Sequence, residues 1–241
     1  MFDSIRYLLL QVRNSDDPMR QHEINSFARV LKTTPERIGL LDLLNEDLSD
    51  SMFESTDMFL LGGSGHYSAT GEGPWMDRSL DILRRLRHAE KPVFASCWGF
   101  QAMARALGGQ VVKDLSRAEV GTHHLFLTEA GKADPLFGPL GEGFGGQMGH
   151  EDCVIELPDG ATLLASSKRH DMQAYRFEGV PIYCTQFHPE LNRDDLLLRV
   201  QTYPEYIERI AGLPAERFDE LLHETPETEA LLSRFVEMVF G

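Results

Sequence analysis

Apolar positions open the chain as an unbroken run over residues 5–12, followed by a polar turn over 14–18 and a pattern of helical period from Met19. A continuous apolar run of this kind fits a strand covered on both faces. Similar runs recur at 38–44, 58–61 and 92–95, with helical patterns over 75–88 and 98–107, the last stopped by Gly108-Gly109. Strands alternating with helices predict an α/β fold built on a mostly parallel sheet with helices on both faces.

Beyond Gln110 the texture changes. Short β-like runs at 121–127, 153–157, 162–165, 173–177 and 182–186 are separated by Gly, Pro and Asp turns, which predicts an antiparallel region. From Asp194 helical patterns return, broken at Pro214 and Pro226, and are expected to form a helical appendage. The expected organisation is one enzyme-like domain over 1–192 and a C-terminal helical extension over 193–241.

Composition narrows the function. The chain has 241 residues, 42% of them hydrophobic, enough for a full core. Its 38 acidic against 23 basic residues, a net charge of −15, repel phosphate backbones and anionic headgroups, so neither nucleic acid nor a membrane is expected as a partner. The basic stretch Arg84-Arg85-Leu86-Arg87-His88 ends a predicted helix, where cations suit the dipole. Three cysteines, Cys97, Cys153 and Cys184, are too few for a disulfide framework and form no C-x-x-C pair, while His123-His124 lacks an acidic or Cys partner at ligand spacing. No metal or cofactor is expected. The first apolar run is too short for a signal-peptide core or a membrane span, so the protein is expected to be cytoplasmic.

Three segments carry chemistry. In Pro92-Val93-Phe94-Ala95-Ser96-Cys97-Trp98-Gly99-Phe100-Gln101 a hydrophobic strand ends at a Cys that opens a helix, presenting the thiol beside the helix N–H groups and the positive end of its dipole. Alone, such a Cys is more often a small buried hydrophobe. In His188-Pro189-Glu190 a second strand ends in a His, and the extended chain lets the carboxylate two residues on orient the imidazole. In Gly62-Gly63-Ser64-Gly65 glycines follow a third strand without the Lys of a phosphate-binding loop, and offer exposed N–H groups to a developing oxyanion.

Together GGSG at 62–65, CWGFQ at 97–101 and HPE at 188–190 resemble the class I, triad-type glutamine amidotransferase family, over residues 5 to 191. The resemblance implies a doubly wound, flavodoxin-like α/β fold and a stand-alone member similar to the glutaminase domain of GMP synthase. It makes Cys97 the nucleophile, His188 the general base and acid, and Glu190 its orienting partner. Gly63 and Trp98 would supply oxyanion N–H groups, and Gly62, Gln101, His150 and Glu151 would line the substrate site, His150 lying in a loop similar to M-S-H-G-D. Ser64 stands where the family has Pro, Ser96 where it has an apolar residue, and Gly149 and Glu151 where it has Ser and Gly. The expected activity is hydrolysis of the glutamine side-chain amide, and the expected partner is a separate ammonia-accepting synthase subunit. A γ-glutamyl hydrolase or peptidase with the same triad, and a non-catalytic binding module, are the alternatives.

Overall fold

The computed structural model describes residues 4–241. Its first half alternates β1 (Tyr7–Gln11), α1 (Met19–Val30), β2 (Ile38–Asp42), α2 (Asp50–Ser55), β3 (Met58–Leu61), α3 (Pro74–His88), β4 (Val93–Ser96) and α4 (Trp98–Ala106). There follow β5 (Gln110–Lys113), β6 (Glu119–Leu127), α5 (Glu129–Ala133), β7 (Gly143–His150), β8 (Asp152–Glu156), β9 (Ala161–Ser167), β10 (Ala174–Phe177) and β11 (Ile182–Thr185). The tail carries α6 (Arg193–Thr202), a π-helical turn at Ile207–Ala211, a 3₁₀ segment at Ala215–Leu221 and α7 (Pro226–Phe240).

Nine strands form one sheet in the order β2-β1-β3-β4-β11-β10-β9-β6-β7, and β5 pairs with β8 in a separate ribbon. The first five strands of that order are parallel, the doubly wound arrangement that the alternation predicts. The antiparallel strands expected after Gln110 are present, but four of them extend the main sheet instead of standing apart. One strand from that half, β11, joins the parallel set beside β4.

The unbroken apolar runs have a direct cause. Leu8, Leu10, Phe59, Leu61, Val93 and Ala95 point into a core shared with α3 and α4, while their neighbours Tyr7, Leu9, Met58, Leu60 and Phe94 point into a second core shared with α1 and α7. Each face is covered, so both sets must be apolar, and each fully buried Leu or Phe contributes about 1.5–3 kcal/mol. The tail takes part in this packing. Phe235 of α7 lies edge-on to Phe94 at 5.5 Å and to Tyr183 at 5.6 Å. Leu196, Val200, Phe218 and Leu222 pack with Val120 of β6 in a third cluster, which brings α6 over the carboxyl edge of the sheet. A capping box between Asn192 and Asp195 fixes where α6 begins, directly after the HPE segment.

One strand escapes the apolar pattern. The sequence GFGGQMGH of β7 has little β propensity, yet it pairs with β6 over eight positions. Close packing requires its glycines: a Cβ at Gly146 would lie 2.6 Å from Leu125 Cδ1 and 3.1 Å from Phe187.

Candidate active site

Because β1, β3, β4 and β11 are parallel, their following residues emerge at one edge, and this gathers Arg13, Gly62-Gly63, Cys97 and His188 from across the sequence. Backbone hydrogen bonds pin these segments together: Cys97 N–H to Thr185 O at 2.8 Å, Gly99 N–H to Gly62 O at 3.2 Å and His188 N–H to Gln147 O at 2.9 Å.

Cys97 sits at φ 51°, ψ −104°, a left-handed conformation that a side chain rarely adopts, between the end of β4 and the first turn of α4. The strain aims Sγ out of the strand and into the edge cleft, where it lies 3.7 Å from Gly149 O. Gly99 makes the turn possible, since a Cβ there would fall 2.5 Å from Leu61 Cβ and lift α4 off β3.

His188 Nδ1 is 2.6 Å from Glu190 Oε1, and both side chains are almost wholly buried. Burial alone would pull the His188 imidazolium down, but Glu190 and Cys97 outweigh it and push the group up to about 9. Burial alone would raise Glu190, yet His188, with Arg199 nearby, holds it below the usual carboxylate range. The other Glu190 oxygen accepts a hydrogen bond from Ser96 Oγ at 3.0 Å. Ser96, conspicuous in the sequence only as a departure from the family pattern, therefore fixes the carboxylate that fixes the imidazole.

The two expected oxyanion donors stand differently. Trp98 N–H belongs to the first turn of α4, which has no carbonyl one turn back. Gly63 N–H donates to Glu23 Oε1 at 3.1 Å, so it must leave that carboxylate before it can serve an oxyanion. Glu23 is fully buried and also accepts from Gln11 at 2.9 Å and from Arg13 at 3.2 Å. A Cβ on Gly63 would lie 3.2 Å from His188 Cε1, a close approach that explains glycine there. Neighbouring Gly62 is buried against Glu23 and does not line either cavity described below.

Two cavities meet at Cys97, with Tyr206 in the wall of both. One is lined by Trp98, Gln101, His150, Glu151 and Asp152. Here Gln101 commits its amide nitrogen to Asp152 O at 2.9 Å and Gln186 at 3.1 Å. The His150 ring is engaged by Asp152 O at 3.0 Å and Glu119 at 3.3 Å. Glu151 pairs with Lys113 and, at 3.2 Å, with Arg209 of the tail. The other cavity is lined by His188, Arg13, Arg199, Tyr203 and the apolar Leu196 and Val200.

Arg13, Glu23, Arg199, Tyr203 and Tyr206 were not evident as site residues from the sequence. Arg13 carried one available signal, its place just past the end of a parallel strand. The others read as ordinary positions of amphipathic helices. Cys153 and Cys184 are buried and burial pushes each thiol up to about 12, far from any use as a nucleophile. Among the described residues no group of three His, Cys, Asp or Glu side chains could hold a metal ion, and no helix is long and apolar enough to cross a membrane.

Comparison with known proteins gives the same geometry a lineage. Gamma-glutamyl peptidase 3 of Arabidopsis thaliana is 30% identical over 212 residues, covering 85% of this chain and 81% of that protein. The glutamine-hydrolysing GMP synthase subunit of Methanothermobacter thermautotrophicus is 29% identical over 171 residues, covering 71% of this chain and 83% of that one. The crystal structure of a glutamine amidotransferase from Thermotoga maritima shares the fold, with a TM-score of 0.72 at 19% identity over 97% of this chain and 98% of its own. The glutamine amidotransferase class-I family model matches residues 34–195, a span that runs from just before β2 through both the Cys97 turn and the HPE segment, and the chain belongs to that family.

Proposed function

We propose that this protein hydrolyses γ-glutamyl amides, glutamine being the simplest of them, through a thioester on Cys97. The observation that carries the reading is a strained Cys at a strand-to-helix turn, packed against a buried His188–Glu190 pair whose imidazole Cys97 itself helps keep protonated. Cys97 Sγ attacks the γ-carbonyl carbon, and the oxyanion takes N–H groups from Trp98 and from Gly63 once Glu23 releases it. The C–N bond breaks as the departing nitrogen takes the proton of the His188 imidazolium. Neutral His188 then removes a proton from water, which attacks the thioester and releases glutamate, restoring thiol and imidazole. A reducing cytoplasm suits a free nucleophilic thiol.

Release of ammonia and glutamate from glutamine by the purified protein tests the reading, together with a covalent adduct of an electrophilic glutamine analogue on Cys97. Absence of both the turnover and the adduct, with γ-glutamyl peptides equally inert, sinks it. If ammonia is the product, a separate synthase subunit is the natural acceptor, and co-purification tests for it. A second reading, a γ-glutamyl peptide hydrolase, is favoured by the 30% identity to gamma-glutamyl peptidase 3 over most of the chain. Turnover of γ-glutamyl peptides without turnover of glutamine would separate the two.

A further inference from the structure

We infer that Arg199 is a positioning residue for the oxyanion site: it waits beside the Glu23 carboxylate and takes that carboxylate over when Gly63 N–H turns to the oxyanion. This role rests on the thioester reading above and names what receives Glu23 in that step.

A single oxygen carries the exchange. Glu23 Oε1 accepts from Gly63 N–H at 3.1 Å, and the same Oε1 lies 3.7 Å from Arg199 Nη2, roughly 0.8–1 Å farther than a charge-assisted hydrogen bond. The other oxygen, Oε2, is anchored by Gln11 Nε2 at 2.9 Å and Arg13 Nε at 3.2 Å. A pivot about Oε2 is therefore enough to carry Oε1 from Gly63 to Arg199. Arg13 also reaches Oε1 through Nη2 at 3.2 Å and remains the counter-charge on either side of the exchange. The groups are in direct contact. A Cβ on Gly62 would fall 2.3 Å from Glu23 Oε1, and one on Gly63 would fall 3.5 Å from Arg199 Nη1. Gly62 lines no cavity, and the space that this carboxylate needs gives it a reason to be glycine.

Arg199 is incomplete in the resting arrangement. Its side chain is only 7% exposed, and its Nε and Nη2 are sealed from solvent without a hydrogen-bond partner. Nη1 stands 3.7 Å from Glu190 Oε1, and its 3.4 Å approach to His188 Nδ1 sets two donors face to face, since Nδ1 gives its proton to Glu190. Glu23 and Glu190 thus balance the charge of Arg199 while its hydrogen bonds stay unmade. Buried donors in that state are costly. The pivot of Glu23 satisfies one of them, but it strips Gly63 N–H of its acceptor unless another is present. The oxyanion is that acceptor. Both gains then arise together in the transition state, where they lower the barrier instead of tightening the binding of substrate.

The wild-type chain supplies the first test. Glutamate γ-semialdehyde adds to Cys97: Sγ bonds to the aldehyde carbon, the π pair of C=O moves onto oxygen, and that oxygen takes the proton of the thiol. In a crystal structure of this adduct Glu23 Oε1 is expected within about 3 Å of Arg199 Nη2, with Gly63 N–H on the adduct oxygen. Glu23 still on Gly63, or moved away from Gly63 without reaching Arg199, overturns the inference with no variant needed. In Arg199→Met kcat is expected to fall about 10–100-fold, less than the loss of an oxyanion donor outright, with KM little changed and affinity for the semialdehyde falling in parallel. Arg199→Lys, which keeps a cation on α6, is expected to recover part of both. Alkylation of Cys97 by iodoacetamide needs the thiol but no oxyanion, so in Arg199→Met it should change by less than about threefold. Loss of alkylation in step with the loss of adduct would mean that Arg199 acts on His188 and Glu190 or on the fold, and overturns the inference as well. Both of those outcomes leave the thioester reading standing. If neither the semialdehyde nor the electrophilic glutamine analogue modifies Cys97, the thioester reading itself has failed, and the role of Arg199 with it.

Discussion

Cys184 lies on β11 and Cys97 just past the end of the adjacent parallel strand β4, with Cys184 in register with Ala95 and Cys97 N–H bonded to the carbonyl of Thr185. Both are buried, at 7% and 0% exposure, so burial does not tell them apart. Position along the strand does. Cys184 points into the core beneath α4, where burial pushes its thiol up to about 12. Cys97, just past the end of β4, is turned through a positive φ into a cleft where a histidine, a helix start and two cavities converge. On the proposed mechanism a thiol becomes useful through the strand end that presents it and the charges around it.

The sharpest break of this comparison is Cys97→Ser, expected to abolish turnover and the glutamine-analogue adduct while leaving the far-ultraviolet spectrum unchanged. Next comes Glu190→Gln, which keeps the shape of the His188 partner but removes its charge. A loss of about 10²–10⁴-fold in kcat is expected, with a displaced pH profile. Burial, which pulls His188 down, is opposed chiefly by Glu190, and the balance stands at about 9 against the usual 6.5. On the proposed mechanism, turnover of the wild-type protein is therefore expected to fall as pH rises through about 9 and the donating imidazolium is lost. The stability that this raised group contributes is fully present below 6.5 and is lost over the same rise. In Glu190→Gln the alkaline fall should move to lower pH. A wild-type profile that stays flat beyond about pH 9 would contradict the assignment of His188 as proton donor.

A smaller effect is expected from Ser96→Ala, which leaves Glu190 Oε2 buried without its donor. The expected cost is about 1–3 kcal/mol of stability, read as a lowered Tm, with kcat reduced several-fold and KM little changed. Loss in KM alone would show that Ser96 acts on substrate and not through Glu190. Ser96 also marks the limit of what the sequence discloses. That Cys97, His188 and Glu190 come together was legible because each lies at or just past a strand end within a short local motif. The groups around those residues were not: Ser96 reaches Glu190 across the sheet, Glu23 reaches Gly63 from α1 and Arg199 reaches Glu190 from α6, contacts that no periodicity encodes. The parallel strands were legible because both of their faces are covered, which writes an unbroken apolar run. Strand β7 was not, because its constraint is close approach to Leu125 and Phe187, and close approach selects glycine, the residue that hides a strand.

The smallest effect belongs to Cys184→Ala, and it tests the other side of the comparison. Removing one buried sulfur from the core should cost about 1 kcal/mol and change kcat/KM by no more than about twofold. Cys184 lies on β11, the strand that delivers His188, so a larger loss of activity would show that packing beneath the strand sets the position of the imidazole. Alkylation of the native protein distinguishes the two cases. With Cys184 and Cys153 both held as thiols to about 12, a single residue, Cys97, should take up label in the wild-type protein and in Cys184→Ala alike. If activity falls while labelling of Cys97 stays the same, the thiol is intact and the His188 side of the site has moved. If labelling falls too, the two strands position the nucleophile jointly, and strand end and strand interior are not the separate regions that their exposure to chemistry implies.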